Sequence, residues 1–353
     1  DLGGIDPMYQ YSLSYFKALF NRCISEAEKS SDLDKRLVNI IDYATLTIYK
    51  NICRGLFNAH KLLFSSSICF QIMRNRGEIH DFEWNLFVRG PGAIDKVQQP
   101  INPHPESIAA PMWDIIYASE VQLRYEEPPA AAEGGEDAEK EADEGMDEEA
   151  KAEALAKEKA IHHYSTPAPF EGLCEHIRKF YFNEDTSSEA SVWEQWMESQ
   201  RIMTDPLPEQ FDKNVNLFQR LVLVKAMRED KLQQAMAAYV GEKLGKPFAE
   251  APLASMAEIY NDLDCKTPCI FILSSGADPT GTLLRFAKSQ GYGDRLHLVS
   301  LGQGQGPVAK SLIDNGTKTG DWVCLQNCML AKSWMPELDK IIFELQEKVR
   351  AQE

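Results

Sequence analysis

Gly276 and Gly281 have the separation of the two glycines in the phosphate-binding loop G-x-x-x-x-G-K-[ST]. In such a loop the lysine neutralises phosphate and the hydroxyl residue holds Mg²⁺. Here the lysine position is Thr282 and the hydroxyl position is Leu283. The preceding Pro268-Cys269-Ile270-Phe271-Ile272-Leu273 reads as a buried strand feeding the turn, and Asp278 lies within the loop. This frame keeps the tight backbone turn and lacks the groups that neutralise phosphate and hold the metal. It predicts a degenerate loop at Gly276, Asp278, Gly281 and Thr282, with no bound cofactor and no hydrolysis.

A second element points the same way. In an active phosphate-loop hydrolase a later apolar strand ends in two acidic residues, one for Mg²⁺ and one to polarise the attacking water. The matching strand, Asp321-Trp322-Val323-Cys324-Leu325-Gln326, is followed by Asn327, so Gln326 and Asn327 stand where the acids would be. Amides hydrogen-bond but serve neither as a general base nor as a strong Mg²⁺ ligand. No catalytic residue is expected here.

Other candidates are weaker. Gly302-Gln303-Gly304-Gln305-Gly306-Pro307 invites a dinucleotide reading, but its spacing is not G-x-G-x-x-G and no acid ends the next strand. A backbone-exposing turn into a helix with Pro307 in its first turn is the plainer reading. His162 and His163 are adjacent, so they point to different faces. Cys265, Cys269, Cys324 and Cys328 lack the usual two-residue zinc-knuckle spacing, and Cys269 and Cys324 fall in apolar strand candidates. No metal site is expected. The eight cysteines sit mostly in apolar segments, as buried thiols of a cytosolic protein would. Trp322, Trp334 and Met335 read as core.

The elements around these residues alternate. Strands are expected at 268–274, 296–301 and 321–326, with helices at about 280–290, 305–315 and 334–350. This order indicates a parallel sheet. Upstream the chain reads as helical. Residues 9–29 space Leu13, Phe16, Leu19, Phe20, Cys23 and Ile24 as one helix face. A polar turn follows, with Ser31 and Asp34 placed as a capping box for a helix carrying Leu37, Ile40, Ile41, Ala44, Ile48 and Ile52. The two form a helical hairpin over about 9–57. A helix at about 58–75 is apolar nearly all round and should be buried, with Gly77 at its stop. Asp81 is placed to cap a short helix, and 90–112 should be loop. Helices resume from about 170, with Phe180, Tyr181, Trp193 and Trp196 as core, and two more span 212–228 and 230–244.

The chain has 353 residues, 44% of them hydrophobic, and a formal net charge of −17. That charge argues against a nucleic-acid or anionic-membrane surface. It is concentrated in 126–160, where 14 acidic residues meet 4 lysines for a net of −10. This stretch has too few large apolar side chains to offset chain entropy, so disorder or a solvated helix near 147–160 is expected. The bland reading is a tolerated surface insertion, the sharper one a contact with a basic partner. No stretch approaches the roughly 18–20 apolar residues of a membrane span. The chain opens on Asp1 without methionine and is expected to be an excerpt of a longer one.

Longer motifs carry a family resemblance. Ile5-Asp6-Pro7-Met8-Tyr9-Gln10-Tyr11-Ser12-Leu13, Asn51-Ile52-Cys53-Arg54-Gly55-Leu56-Phe57, Lys61-Leu62-Leu63-Phe64-Ser65 and Lys243-Leu244-Gly245-Lys246 resemble dynein heavy chains. So do Leu273-Ser274-Ser275-Gly276-Ala277-Asp278-Pro279, the stretch Ser300 to Pro307, and Leu325-Gln326-Asn327-Cys328. The motifs arrive in family order over nearly the whole chain except 126–162, and the opening is similar to the axonemal members. Ser275, where many members have proline, and the acidic insertion depart from the family, and neither touches a known catalytic position.

The resemblance implies a microtubule motor built as a ring of six AAA+ modules in one chain, with ATP and Mg in upstream modules. It implies that 1–125 is the end of the fifth module, a helical lid region with the hairpin at 9–57. Residues 126–162 are then an insertion, 163–205 the rest of the lid or a linker, and 206–353 the start of a non-hydrolysing sixth module. The fold class implied is α/β plus all-α, a helical AAA+ lid followed by a parallel-sheet P-loop domain. Expected partners are the other modules and the stalk of the same heavy chain, microtubules through the stalk, intermediate and light chains and other heavy chains, with no nucleic acid and no membrane. The expected location is the cytoplasm and the ciliary or flagellar axoneme. From the residues alone, a freestanding regulatory or scaffold protein with a degenerate nucleotide-binding domain remains the alternative.

Overall fold

The structure is a computed structural model that describes residues 2–351 apart from 107, 126–161, 165–167, 183–187, 251, 253–254, 266 and 274–275. The acidic run at 126–160, with its expected disorder, lies outside the described residues. The chain divides into two units, Asp1–Pro252 and Leu253–Glu353.

The first unit is helical. Helices α1 (Leu13–Glu26) and α2 (Leu33–Gly55) run antiparallel. Tyr43 Oη donates to Glu26 Oε2 at 2.8 Å near the turn, and Tyr15 Oη donates to Asn51 Oδ1 at 3.1 Å at the other end. The turn is capped from both sides. Arg36 donates to the carbonyls of Ile24, Ala27 and Glu28, satisfying acceptors that the end of α1 leaves open. Asp32 caps α2 by accepting the Lys35 N–H at 3.1 Å. The expected Ser31/Asp34 capping box is therefore not used. Asp34 lies in the first turn, where a carboxylate suits the helix dipole.

These helices bury only Leu19 and Cys23 of α1 and Ala44, Tyr49 and Cys53 of α2. Leu13, Phe16, Phe20 and Ile24 on α1, and Leu33, Leu37 and Ile41 on α2, are exposed. Their spacing of three to four residues puts each set on one helix face.

Helix α3 (Asn58–Asn75) ends where the sequence indicates. Gly77 takes φ +74°, and the Glu78 N–H reaches the Met73 carbonyl at 2.9 Å. The expectation of burial nearly all round is corrected: Ser65, Ser66, Cys69, Phe70 and Met73 are buried, whereas Leu63 is 56% exposed. Apolar composition does not supply a second packing surface. In α4 (Asp81–Arg89) the cap is His80 rather than Asp81, which instead pairs with Arg74 at 2.7 Å.

Helix α5 (Ala110–Gln122) runs directly into β1 (Leu123–Tyr125), which pairs in parallel with β2 (His162–Tyr164). The remaining helices of the unit are α6 (Leu173–Phe182), α7 (Ser188–Glu198), α8 (Glu209–Asn214), α9 (Leu217–Met227), α10 (Leu232–Leu244) and the short α11 (Lys246–Ala249). One continuous helix was expected over 212–228. Asn216 interrupts it by capping α9, accepting the Gln219 N–H at 2.8 Å while Gln219 Oε1 accepts the Asn216 N–H at 2.9 Å.

The core gathers around Phe70, whose ring lies 5.4–5.7 Å from those of Trp84, Phe87, Phe218 and Tyr239. Glu83, buried at the start of α4, accepts from the His80 N–H and from Gln219 Nε2, so the two capping boxes are bonded to each other. Trp193 and Trp196 are buried edge to face, and Trp196 Nε1 donates to the Ile202 carbonyl at 3.0 Å. Phe180 packs against this core from a partly buried position, whereas the side chain of Tyr181 lies outside the described residues. Residues 209–249, grouped by sequence with the later domain, pack within the first unit. The break in packing lies at Pro252/Leu253.

The β1–β2 pair is parallel, with Leu123 opposite His162 and Tyr125 opposite Tyr164, so the two ends of the acidic insertion meet it at opposite ends of the ladder, and the connection needs a crossover of about a dozen residues. Replacing 126–161 by a Gly-Ser linker of about that length should leave unfolding free energy within ~0.5 kcal/mol, the range of neutral surface changes. Joining Tyr125 directly to His162 should break the pair. Denaturant unfolding of the two deletions checks this, and a loss above ~2 kcal/mol for the linker variant would refute it.

The second unit contains α12 (Met256–Asp262), α13 (Thr280–Ser289), β3 (Leu296–Ser300), α14 (Gly306–Thr319), β4 (Trp322–Gln326) and α15 (Met335–Arg350). Strands β3 and β4 are parallel, in register from Leu296↔Trp322 to Ser300↔Gln326, with α14 as the crossover. Val299, Leu301, Ala309 and Ala331 form its core, with Trp334 and Met335 packed against them half-buried. Trp322 is also half-buried and stacks on Tyr292, 4.7 Å between centroids.

Residues 268–273 form no strand, which corrects the expectation for 268–274 as far as the described residues reach. Ile270, Ile272 and Leu273 are exposed by 80%, 59% and 52%. A strand needs a ladder as well as apolar side chains, and β3 and β4 pair with each other. Cys265 and Cys269 are likewise exposed rather than buried, whereas Cys23, Cys53, Cys69 and Cys174 are buried.

Candidate functional site

The loop leading into α13 and the end of β4 meet through their side chains. Gly276 takes φ +81°, a conformation that costs glycine little. Two residues on, Asp278 Oδ1 accepts the Thr280 N–H at 2.8 Å. The hydrogen bonds from Thr280 hold the Asp278 carboxyl below the usual carboxylate range. Helix α13 starts at Thr280, so this N–H is one that the helix itself leaves without a partner.

The register Ser300↔Gln326 sets the ends of both strands together. Gln326 Nε2 donates to Thr280 Oγ1 at 3.2 Å, across 46 residues of sequence, while its carbonyl accepts the Leu301 N–H at 2.8 Å. Asn327 has φ 56° and ψ 40°, the one non-glycine with positive φ among the described residues. Asparagine tolerates this left-handed conformation better than most residues. Its Nδ2 donates to Ser300 Oγ at 2.9 Å.

The predicted residues Gly276 and Asp278 thus lie in the loop before α13, Gly281 lies in the helix's first turn, and Gln326 is brought to the helix start at Thr280. Thr282 is exposed on the first turn of α13, and Leu283 is half-buried. Asn327 braces the neighbouring strand through Ser300. Sequence reasoning missed Arg285, a cation one turn beyond Thr282 that donates to Thr282 Oγ1 at 3.3 Å. Its signal was the three-residue helical spacing from the vacant lysine position. Thr280, which joins the two elements, was also missed, because its partner is remote in sequence.

Chemically the site offers hydroxyls and amides. The lysine position holds a threonine, the strand end holds amides, and Asp278 places a negative charge at the helix start. Among the described residues no group of three or more His, Cys, Asp or Glu side chains is placed to hold a metal ion. His162 and His163 lie in β2.

The glycine-rich turn before α14 is a packing feature. Gly304 takes φ +77°, and Gly306 lies so close to Trp334 that a Cβ would sit 2.8 Å from the indole Cδ1. Beyond it, Asp321 at the entry to β4 is held at a pKa of about 2 by hydrogen bonds from Arg295, His297 and Thr319. Arg295 Nε lies 2.8 Å and His297 Nε2 3.1 Å from this carboxylate. This pairing fastens the start of β4 to the β3 side of the sheet.

The family profile described as "Dynein heavy chain region D6 P-loop domain" matches residues 264–353. Over nearly the whole chain the similarity is to axonemal dynein heavy chains. Human dynein axonemal heavy chain 6 is 34% identical over 344 residues, which are 97% of this chain and 7% of that protein. The Chlamydomonas reinhardtii dynein-1-beta heavy chain, of the flagellar inner arm I1 complex, is 33% identical over 342 residues, 97% of this chain and 6% of that protein. Human dynein axonemal heavy chain 3 is 35% identical over 347 residues, 98% of this chain and 7% of that protein. The chain therefore spans about 7% of the length of the curated relatives it matches. Among the described residues no helix is long and apolar enough to cross a membrane.

Proposed function

This chain belongs to the dynein heavy chain family, and from that premise we propose that it is a non-hydrolysing structural segment of an ATP-driven, minus-end-directed microtubule motor of cilia or flagella. Residues 1–205 would close the fifth AAA+ module and 206–353 would open the sixth. ATP and Mg²⁺ would be bound by upstream modules of the parent chain, and microtubules through its stalk. Partners would be the other modules, intermediate and light chains and other heavy chains, in the cytoplasm and the axoneme.

The observation that carries the non-hydrolysing role is the chemistry at two positions brought to one place. Thr282 stands for the phosphate-neutralising lysine, and the strand end beside the loop carries Gln326 and Asn327 in place of acids. Phosphoryl transfer depends on electrostatic stabilisation of the transferring group. A site that lacks the lysine, the metal ligand and the water-polarising acid has no means of supplying it.

The two-helix element at 13–55 is proposed as the mechanical part. Its exposed stripes, Leu13, Phe16, Phe20 and Ile24 on α1 and Leu33, Leu37 and Ile41 on α2, are surfaces on which another helix pair can pack. By family resemblance that pair is the stalk, and the element is its buttress.

Photoaffinity labelling of the intact heavy chain with 8-azido-ATP and Mg²⁺, followed by peptide mapping, tests the nucleotide part of this reading. The expected result is labelling of upstream modules and none in 264–353 at micromolar nucleotide. Mg²⁺-dependent labelling of the 276–283 peptide in that range would overturn it.

A further inference from the structure

The polar groups that a phosphate loop normally turns toward its ligand are bonded here to one another. The Asp278 carboxylate takes the Thr280 N–H at 2.8 Å, and the Thr280 hydroxyl takes the Gln326 amide at 3.2 Å. The N–H groups at a helix start are the donors that such a loop gives to phosphate. One of them is occupied by a group carrying the same sign of charge as phosphate.

We propose that Asp278 is a built-in anion that closes this loop against nucleotide, and that Gln326 holds Thr280 where the carboxylate can cap it. The proposal rests on the non-binding reading above and deepens it. Loss of the lysine removes an attraction, whereas Asp278 competes for a donor and repels the ligand. The two effects are separable, because they belong to different residues.

The carboxylate is suited to the role. Its hydrogen bonds with Thr280 favour the ionised form, so it remains charged at neutral pH. A negative group just before the helix start is stabilised by the helix dipole, which gives the closed arrangement an advantage of its own. The Gln326 contact adds a tie from outside the loop. Asn327, braced on Ser300 at 2.9 Å in its left-handed conformation, fixes the chain direction just after Gln326.

The test adds the missing lysine and then removes the proposed obstacle. In the intact heavy chain, 8-azido-ATP labelling of the 276–289 peptide is compared for Thr282→Lys, Thr282→Lys with Asp278→Asn, and Thr282→Lys with Asp278→Ala. Asparagine keeps an acceptor for the Thr280 N–H and deletes the charge, whereas alanine deletes both. Labelling should rise in that order, by at least about fivefold from first to last, the scale of charge effects at a helix terminus.

Equal labelling of the three variants, with the wild type unlabelled, would overturn the Asp278 proposal and leave the non-binding reading intact. Micromolar labelling of the wild type would overturn both. Hydrogen exchange gives a readout that needs no nucleotide and no lysine. Asp278→Ala and Gln326→Ala should each speed amide exchange at the start of α13 by at least about fivefold, since each removes a bond to Thr280. Unchanged exchange in both would also overturn the proposal.

Discussion

Replacing 29–33 with a Gly-Ser linker in the intact heavy chain should leave basal ATP turnover close to wild type and remove most of the nucleotide dependence of microtubule affinity. The physical basis is stiffness. The turn between α1 and α2 is fixed from both sides, by Arg36 on the carbonyls of α1 and by Asp32 on the first turn of α2. Tyr43–Glu26 and Tyr15–Asn51 tie the helices along their length. A displacement at the base of such an element is carried to its tip, whereas a Gly-Ser chain behaves as a flexible coil.

Coupling between distant sites is worth about 1–3 kcal/mol, a factor of about 5–150 in affinity. The ratio of microtubule affinities between nucleotide states should therefore fall toward about 1 in the linker variant. The measurements are microtubule co-sedimentation in different nucleotide states and microtubule-stimulated ATPase on the same preparation. An unchanged ratio together with unchanged stimulation would mean that the helix pair only packs.

The second large effect concerns the core of the first unit. Phe70→Ala should lower the unfolding free energy by about 3–5 kcal/mol, the usual range for truncating a buried phenylalanine. Phe70 is 3% exposed, and its ring touches aromatic side chains from α4, α9 and α10. Aromatic pairs add about 0.5–1.5 kcal/mol each beyond area burial, so the loss belongs in the upper part of that range. Leu63→Ala, on the exposed face of the same helix, is the control and should stay within ~0.5 kcal/mol. Chemical denaturation followed by tryptophan fluorescence reads both, since Trp84 lies against Phe70. A Phe70→Ala loss under ~1 kcal/mol would contradict the packing described.

The joined capping boxes explain why this core crosses the expected domain boundary. Glu83 and Gln219 each hold their own helix start and then bond to each other at 2.7 Å. Helices from either side of residue 206 therefore share one interior. A boundary inferred from motif order reflects sequence resemblance, whereas the packing break follows buried contacts and falls at Pro252/Leu253.

What the sequence by itself determined is local. Helix α3 runs over 58–75 because apolar periodicity and a left-handed stop at Gly77 are encoded within a few residues of each other. Strands β3 and β4 lie within a residue of their predicted ends, and the expectation of lost chemistry rests on the identities of Thr282, Gln326 and Asn327 alone. Only the tertiary structure decided which apolar faces are covered, because burial depends on a partner surface that no local pattern contains. Leu63, Phe16 and Ile270 are as apolar as Phe70, yet they are exposed. The same reason separates 268–273 from β3: both are apolar runs, but a strand exists only where another backbone supplies its hydrogen bonds. It also separates the predicted site residues from the working contact, since the bond from Gln326 to Thr280 exists only after the β3–β4 register has brought residues 46 apart in sequence together.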